Sequence, residues 1–522
     1  MPMKLWIVSM ECAGIAEAGG VKNVTFSLCK EFSDLKHKVT LFVPIFKCNS
    51  WNLIDNFEKT AEAQIELCGK KETVRYYKAT CRDGDFSIVF VNHKSFYQKE
   101  AVYTYTEHEQ QQNPEHKKGE GHKDILFMDV LFQKAVFEYG KRIPRSEVPE
   151  IIHCQDASTA MIPAFIQEAK CYSKTKCVVT IHNAGPYYHH NFTSIGEAAW
   201  HTGFSSELLE ASLNKKCVEP FLIAANCGAE LTTVSEKYAQ ELLDPFNTEA
   251  TDGLSPLFAE KKVKITGIIN GFDFDRYNPE DKQASLLPFE FSPEKNELDG
   301  KLKCRKFFIQ NIVNTDNFDC TGVKKFGKLE CSPSYTKEIF ISYHGRITSQ
   351  KGISVLTKAI PAIISNFDNV RFVIAGQGEP SLEDEIILLT QKYKGKITFM
   401  NGYNRVIARL TSAICDFIVL PSYFEPCGLE DFIAQVYGTV PVAHATGGLT
   451  KIQDGKTGFL YSNNTHECLI AKLTEVIMLF NLKHSAINKI IKAGAQSVHK
   501  EFYWKNIVKN KYLPFFKEIL KK

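Results

Sequence analysis

The stretch 415–461, CDFIVLPSYFEPCGLEDFIAQVYGTVPVAHATGGLTKIQDGKTGFLY, constrains the fold more than any other part of the chain. Residues 416–420 form a short β-branched and aromatic run that stops at Pro421 and Ser422, the pattern of a buried parallel strand feeding a loop. That loop carries a carboxylate, Glu425, between Phe424 and Pro426, and Gly428 then opens a helix expected over about 429–437. A second strand, 439–444, delivers Thr446, Gly447 and Gly448. Loops at the carboxyl ends of parallel strands are where open α/β sheets bind ligands, and helix starts offer unpaired N–H groups that suit phosphate. The small Gly pair lets the backbone come close to a ligand. Together these features fit a nucleotide-sugar site, although the glycines alone would serve equally well in tight turns.

Strands and helices alternate through the rest of the chain. A strand at 4–10 leads through Gly19 and Gly20 into a helix at 21–32, whose first turn carries Lys22, and a strand at 38–44 completes a β-α-β unit. Residues 58–93 alternate as an antiparallel excursion, with a hairpin turn expected at 82–85. The polar segment 108–123 holds three histidines without fixed spacing and reads as a solvated loop rather than a metal site. An amphipathic helix follows at 125–139. Strands at 150–153 and 178–181 end in His153-Cys154-Gln155-Asp156 and in His182-Asn183, polar groups placed where a parallel sheet presents its binding residues. Tyr187, Tyr188, His189 and His190 suggest an aromatic wall, since adjacent residues do not converge on one metal ion.

The proline-bearing segment 277–298 reads as a linker, and the polar segment 314–337 receives no function. A strand at 339–343 then runs into HGRITSQKG, where Arg346 offers a planar fork for phosphate oxygens and Lys351 a mobile point charge. Strands at 371–378 and 397–402 follow, the second ending at Tyr403, then helices at 465–480 and 485–499, and the stretch 502–520 closes the chain. The pattern predicts an α/β protein of two doubly wound parallel-sheet domains, 1–275 and 276–522, facing each other across a cleft.

Composition narrows the partners. With 63 Lys plus Arg against 60 Asp plus Glu and no large basic block, nucleic acid is not an expected partner. No run reaches the ~18 apolar residues needed to span a membrane, and the apolar run at 5–8 is too short for a signal peptide. The 16 cysteines are scattered without a C-x-x-C pair, so a reducing, cytoplasmic setting is expected.

FEPCGL with GT-P and TGGL, RITSQKG, and IINGFD at 268–273 resemble the bacterial and plastid glycogen (starch) synthases, retaining glucosyltransferases with two Rossmann-like domains (the GT-B fold). The resemblance covers nearly the whole chain. It implies transfer of glucose from a nucleoside diphosphate glucose to the non-reducing end of an α-1,4-glucan, without metal or cofactor, and a last helix that returns to the first domain. In that reading Glu425, Arg346, Lys351 and His182 carry catalysis. Gly19, Gly20, Lys22, Asn183, Tyr403, Thr446, Gly447 and Gly448 bind the donor, with Tyr403 at the base, and Asp156, Tyr187 and Tyr188 face the acceptor. The motifs favour ADP-glucose over UDP-glucose. Two departures stand out. Glu17 occupies the place of the family's Lys-x-Gly-Gly lysine, with Asn23 where an Asp is usual, and the H-x-H-D-W stretch is H-C-Q-D-A here. They raise the alternative of a weakened homologue that binds glucan or nucleotide sugar, or of a related glucosyltransferase using UDP-glucose. The sequence leaves the oligomeric state open.

Overall fold

The computed structural model describes residues 2–167, 169–315 and 317–522. The chain divides into two compact units, Met1–Asn270 with Trp504–Lys522, and Gly271–Tyr503.

The first unit is built on eleven strands among the described residues, of which the central parallel ones carry apolar runs buried on both faces, as parallel sheets require. They are β1 (Lys4–Val8), β2 (Lys38–Pro44), β3 (Ile54–Leu67), β4 (Lys70–Cys81), β5 (Ser87–Asn92), β6 (Ile151–Gln155) and β7 (Lys176–Ile181). A two-residue pair, β8 (Leu213–Asn214) and β9 (Cys217–Val218), stands apart, and β10 (Glu230–Thr233) and β11 (Ile265–Gly267) complete the set. The sheet order is β11-β10-β7-β6-β1-β2-β5-β4-β3. All neighbours from β11 to β5 are parallel, and β4 and β3 add as antiparallel strands. The expected excursion is therefore an extension of the main sheet. Its tightest turn is Cys68-Gly69, with both residues at positive φ (51° and 70°), as a two-residue hairpin demands.

The second unit carries β12 (Val323–Phe326), β13 (Ile339–His344), β14 (Val370–Gly376), β15 (Ile397–Gly402), β16 (Phe417–Leu420), β17 (Val440–His444) and β18 (Phe459–Tyr461), in the order β12-β15-β14-β13-β16-β17-β18. Only β12 is antiparallel, so the polar segment 314–337 contributes an edge strand. The segment 277–298 is not a free linker. It forms short helices inside this unit, where Glu294 pairs with His499 at 2.8 Å.

In each sheet the chain winds outward from one strand and then returns to its other side. The switch falls between β1 and β6 in the first unit and between β13 and β16 in the second. Loops leaving the carboxyl ends of those strands diverge there and leave a crevice.

Two buried cations fix the second switch point. Lys301 donates to the carbonyls of Ala413 and Tyr437 and to Thr439 Oγ1, which satisfies helix-end acceptors on either side of β16. Burial and the nearby Arg305 push its pKa down to about 7. Arg305 donates to the Ile414 carbonyl and to Asp416 at 2.8 Å, and so locks the start of β16.

The terminal helical run from Trp504 to Ile519 packs within the first unit. Phe516 stacks on Phe32 at 5.3 Å and meets His153 edge-on at 5.7 Å. The polar segment 108–123 differs from a solvated loop: Glu107–Gln112 is helical, with a reciprocal Thr106/Glu109 capping box, and His116 stacks on Tyr105 at 4.1 Å.

Candidate active site

In the second unit the switch point gathers Arg346, Lys351 and Glu425. Lys351 follows β13, and Glu425 lies in the loop that follows β16. Although 74 residues separate them, strand order places them together, and Lys351 Nζ donates to Glu425 Oε2. Ser422 Oγ donates to the same oxygen at 3.2 Å, and the Gly448 N–H holds the Glu425 carbonyl at 2.8 Å. Thr446 Oγ1 donates to the Tyr423 carbonyl at 3.3 Å. Thr446 and Gly448 thus brace the Glu425 loop. A Cβ on Gly448 would lie 2.0 Å from the Cys427 carbonyl oxygen, so only glycine permits this approach.

Beside these groups is a cavity of about 290 Å³, lined by His344, Gly345 and Arg346 after β13, Gly376 and Gln377 after β14, and Gly402, Tyr403 and Asn404 after β15. Arg346 is exposed here, whereas Lys351 is half-buried. Tyr403 is 67% exposed, which places its ring at the rim rather than in the core. The floor stays open because a glycine stands at or just past the end of three successive strands: Gly345, Gly376 and Gly402 have φ of 149°, 150° and 134°. A Cβ on Gly376 would lie 1.8 Å from the Gly345 carbonyl oxygen, and one on Gly402 would lie 2.0 Å from that of Gly322.

In the first unit, the loops after β1 and β6 bring Gly19, Gly20, Lys22 and Asp156 to the other switch point, and His182 and Asn183 follow β7. Asp156 has φ 61° and ψ −178°, a backbone region otherwise left to glycine that costs about 1–3 kcal/mol and marks functional sites. Its Oδ1 accepts the His182 N–H at 2.7 Å. Burial pushes the Asp156 pKa up to about 7, and Glu11 adds to the rise. Burial also pushes His182 down to about 3, so its imidazole is neutral. His182 Nε2–H donates to Gln155 Oε1 at 2.8 Å, which leaves Nδ1 as the acceptor.

The Tyr187–His190 cluster divides. Tyr187 is 94% exposed and Tyr188 sits at the surface, while His189 and His190 turn inward to Glu219 and Asp129, each at 2.5 Å. Among the described residues no group of three or more His, Cys, Asp or Glu could hold a metal ion. Lys22 Nζ lies 3.1 Å from Glu17 Oε2, so the first-turn lysine and the acid in the family lysine's place form an ion pair.

Three contributors escaped the sequence reading. Glu11 is 1% exposed beneath the Gly pair, and a Cβ on Gly19 would lie 3.2 Å from its Oε1. Burial raises its pKa, while the N–H groups of Gly19 and Ala18 and the charge of Lys22 act against the rise. Nothing local marks this acid as buried, although its place directly after a strand was a signal. The second contributor is the set of strand-end glycines, visible as a Gly after each of three apolar runs. The third is Glu430, which lines the cavity and pairs with His344 at 2.6 Å across 86 residues.

The starch synthase catalytic domain model matches residues 4–257, and the model for glycosyl transferases group 1 matches 329–493. The fold is similar to that of the catalytic domain of starch synthase IV from Arabidopsis thaliana bound to ADP and acarbose, with TM-score 0.79 at 20% identity over 100% of both chains. Two parallel-sheet α/β units with matches of this kind define a glycosyltransferase of the GT-B type. Glycogen synthase from Thermodesulfovibrio yellowstonii is 30% identical over 99% of this chain and 98% of its own length. The glycogen synthase of Photobacterium profundum is 26% identical over 92% and 88%. The chain belongs to the glycogen synthase family.

Proposed function

We propose that this chain transfers glucose from ADP-glucose to the non-reducing end of an α-1,4-glucan, with retention at the anomeric carbon, in the cytoplasm. The observation that carries this reading is the Lys351–Glu425 pair beside Arg346 and a nucleoside-sized cavity. The sixteen free thiols suit a reducing compartment, and no helix among the described residues is long and apolar enough to cross a membrane.

Departure of the nucleoside diphosphate leaves positive charge on the glucose ring and puts negative charge on the leaving oxygen, so fixed charges aimed at both lower the barrier. In this reading the Gly271–Tyr503 unit binds the nucleotide in its cavity, with Tyr403 at the base. Arg346 and Lys351 take the diphosphate. On donor binding Lys351 exchanges the Glu425 carboxylate for phosphate oxygens, which frees Glu425 to accept glucose hydroxyls and to favour positive charge near the ring. The first unit supplies Gly19, Gly20, Lys22 and Asn183 to the donor and the neutral His182, through Nδ1, to a sugar hydroxyl. Asp156, Tyr187 and Tyr188 serve the acceptor.

Donor consumption measured with ADP-glucose and UDP-glucose, each with and without glycogen, tests the reading. Glycogen-dependent turnover that favours ADP-glucose is expected, and a clear preference for UDP-glucose would overturn the assignment of the base. A second reading, a family member that binds without efficient turnover, draws support from Glu17 and its pairing with Lys22. Binding of ADP-glucose with no turnover of either donor would establish it instead.

A further inference from the structure

The nucleotide cavity contains one acid that nothing in the reaction above uses. Glu430 lines it together with His344 and Arg346, and its Oε2 lies 2.6 Å from His344 Nδ1. Burial opposes charge on both partners. Even so, Glu430 raises the His344 pKa and His344 lowers that of Glu430, so the two form an ion pair. One function of an acid here is plain: Glu430 and Asp431 begin the helix Glu430–Val436, where negative charge suits the dipole. That accounts for an acid at this position but not for its presence on the cavity wall, since Asp431 in the same turn faces Lys451 at 2.9 Å and is fully buried.

The order of groups across the strand ends assigns Glu430 a ligand. At the β15 side the cavity is walled by Val323, Met400, Tyr403, Ile407 and Ala408, a largely apolar lobe suited to a base. At the far side, past β14 and β13, lies the Lys351–Glu425 pair of the β13/β16 switch point. Three inter-strand steps of about 4.8 Å, ~14 Å in all, separate these ends. A nucleoside diphosphate laid between them, base at one end and phosphates at the other, passes its ribose over the end of β13, where His344 holds Glu430 on the cavity wall.

We infer that Glu430 is the specificity residue for the donor's ribose: its carboxylate accepts hydrogen bonds from the ribose hydroxyls, and His344 is the positioning residue that holds it there. This rests on the reading of the chain as a user of a nucleoside diphosphate glucose. A carboxylate is an acceptor only, so it pairs with the two hydroxyl donors of a ribose and is left unsatisfied by a sugar that lacks them. The charge of His344 keeps it from repelling the adjacent phosphates at full strength.

The test is calorimetric titration of the full-length protein with ADP and with 2′,3′-dideoxy-ADP. Wild-type protein is expected to bind ADP at least about tenfold more tightly than the dideoxy analogue. Glu430→Gln, near-isosteric and therefore compatible with folding, is expected to bring that ratio to within about threefold, chiefly by weakening ADP. His344→Asn should reduce the ratio partly. Equal affinity of the wild type for both nucleotides would overturn the assignment without reference to any variant. So would a Glu430→Gln protein that keeps the wild-type ratio, or one that binds both nucleotides more tightly by the same factor, since that is what relief of simple charge repulsion gives. Absence of any ADP binding to the wild type would instead bring down the donor reading on which the assignment rests.

Discussion

Arg346 and Lys351 are proposed for the same task, contact with the departing diphosphate, yet the structure gives them different surroundings. Arg346 is exposed and lines the cavity; Lys351 is half-buried and bonded to Glu425, the two side chains being 19% and 15% exposed. Opposite charges ~4 Å apart attract by about 4 kcal/mol at an effective dielectric of ~20 before desolvation is subtracted. Truncating one member of a fully buried pair costs about 3–5 kcal/mol, while a surface pair is worth about 0–1. The intermediate burial of this pair points to about 2 kcal/mol for Lys351→Ala. At roughly 2–4 °C per kcal/mol for a unit of this size, the thermal midpoint should fall by about 4–8 °C. Arg346→Ala should stay within about 0.5 kcal/mol of wild type, as exposed substitutions do. In turnover the two should look alike, each losing roughly 2–4 kcal/mol of transition-state stabilisation, about 30-fold to 1000-fold. The Lys351→Ala/Glu425→Gln double variant should recover much of the lost stability, because the stranded carboxylate is gone, but none of the activity. Scanning calorimetry and single-turnover glucosyl transfer read the two quantities separately. Equal thermal losses for Arg346→Ala and Lys351→Ala, or near-wild-type turnover in either, would refute the reasoning.

Lys22→Ala should raise the donor KM about tenfold, the scale of one charged hydrogen bond. Glu17→Gln should lower it by no more than about fivefold, because a partly exposed ion pair holds Lys22 with only about 0–1 kcal/mol; donor kinetics unchanged in Lys22→Ala would remove this lysine from the donor site. Burial lifts the Asp156 pKa from an ordinary 3.8 to about 7. The folded state therefore holds that proton more tightly than the unfolded chain does, and the resulting destabilisation is absent below about pH 4, grows from there to pH 7 and is complete above it. Asp156→Asn should accordingly raise the thermal midpoint at pH 8 and leave it nearly unchanged at pH 4; parallel pH profiles for the two proteins would contradict this. Gly376→Ala, with φ 150° and a Cβ 1.8 Å from the Gly345 carbonyl oxygen, should lose at least about 2 kcal/mol of stability and weaken ADP binding, and retention of both would show that the cavity floor yields easily.

The elements that could be read from the sequence are those with a local signal. The runs at β2, β13 and β15 and the helix Val21–Asp34 before β2 follow from apolar periodicity and Gly punctuation, and Asp156, His182, Arg346, Lys351 and Glu425 stood out because each lies in a loop that leaves the end of an apolar run. What a single sequence does not carry is strand order. Nothing local says that β16 returns beside β13 rather than beyond β15, so Lys351 and Glu425 could be given separate roles, leaving group and glucose, without any sign that they hold each other. The same applies to Glu11 under the Gly pair, to His344 and Glu430 at 86 residues' separation, and to Lys301, a polar-looking helix residue that ends up capping helices more than a hundred residues away. The segment 277–298 was misread for the converse reason, since prolines and charges mark loops whether or not the loop is packed. The switch points connect these cases. Each unit reverses its winding once, and the loops that part there are the ones bearing the acids and cations. The residue types at strand ends set what chemistry is available, and the reversal of strand order decides which of them meet.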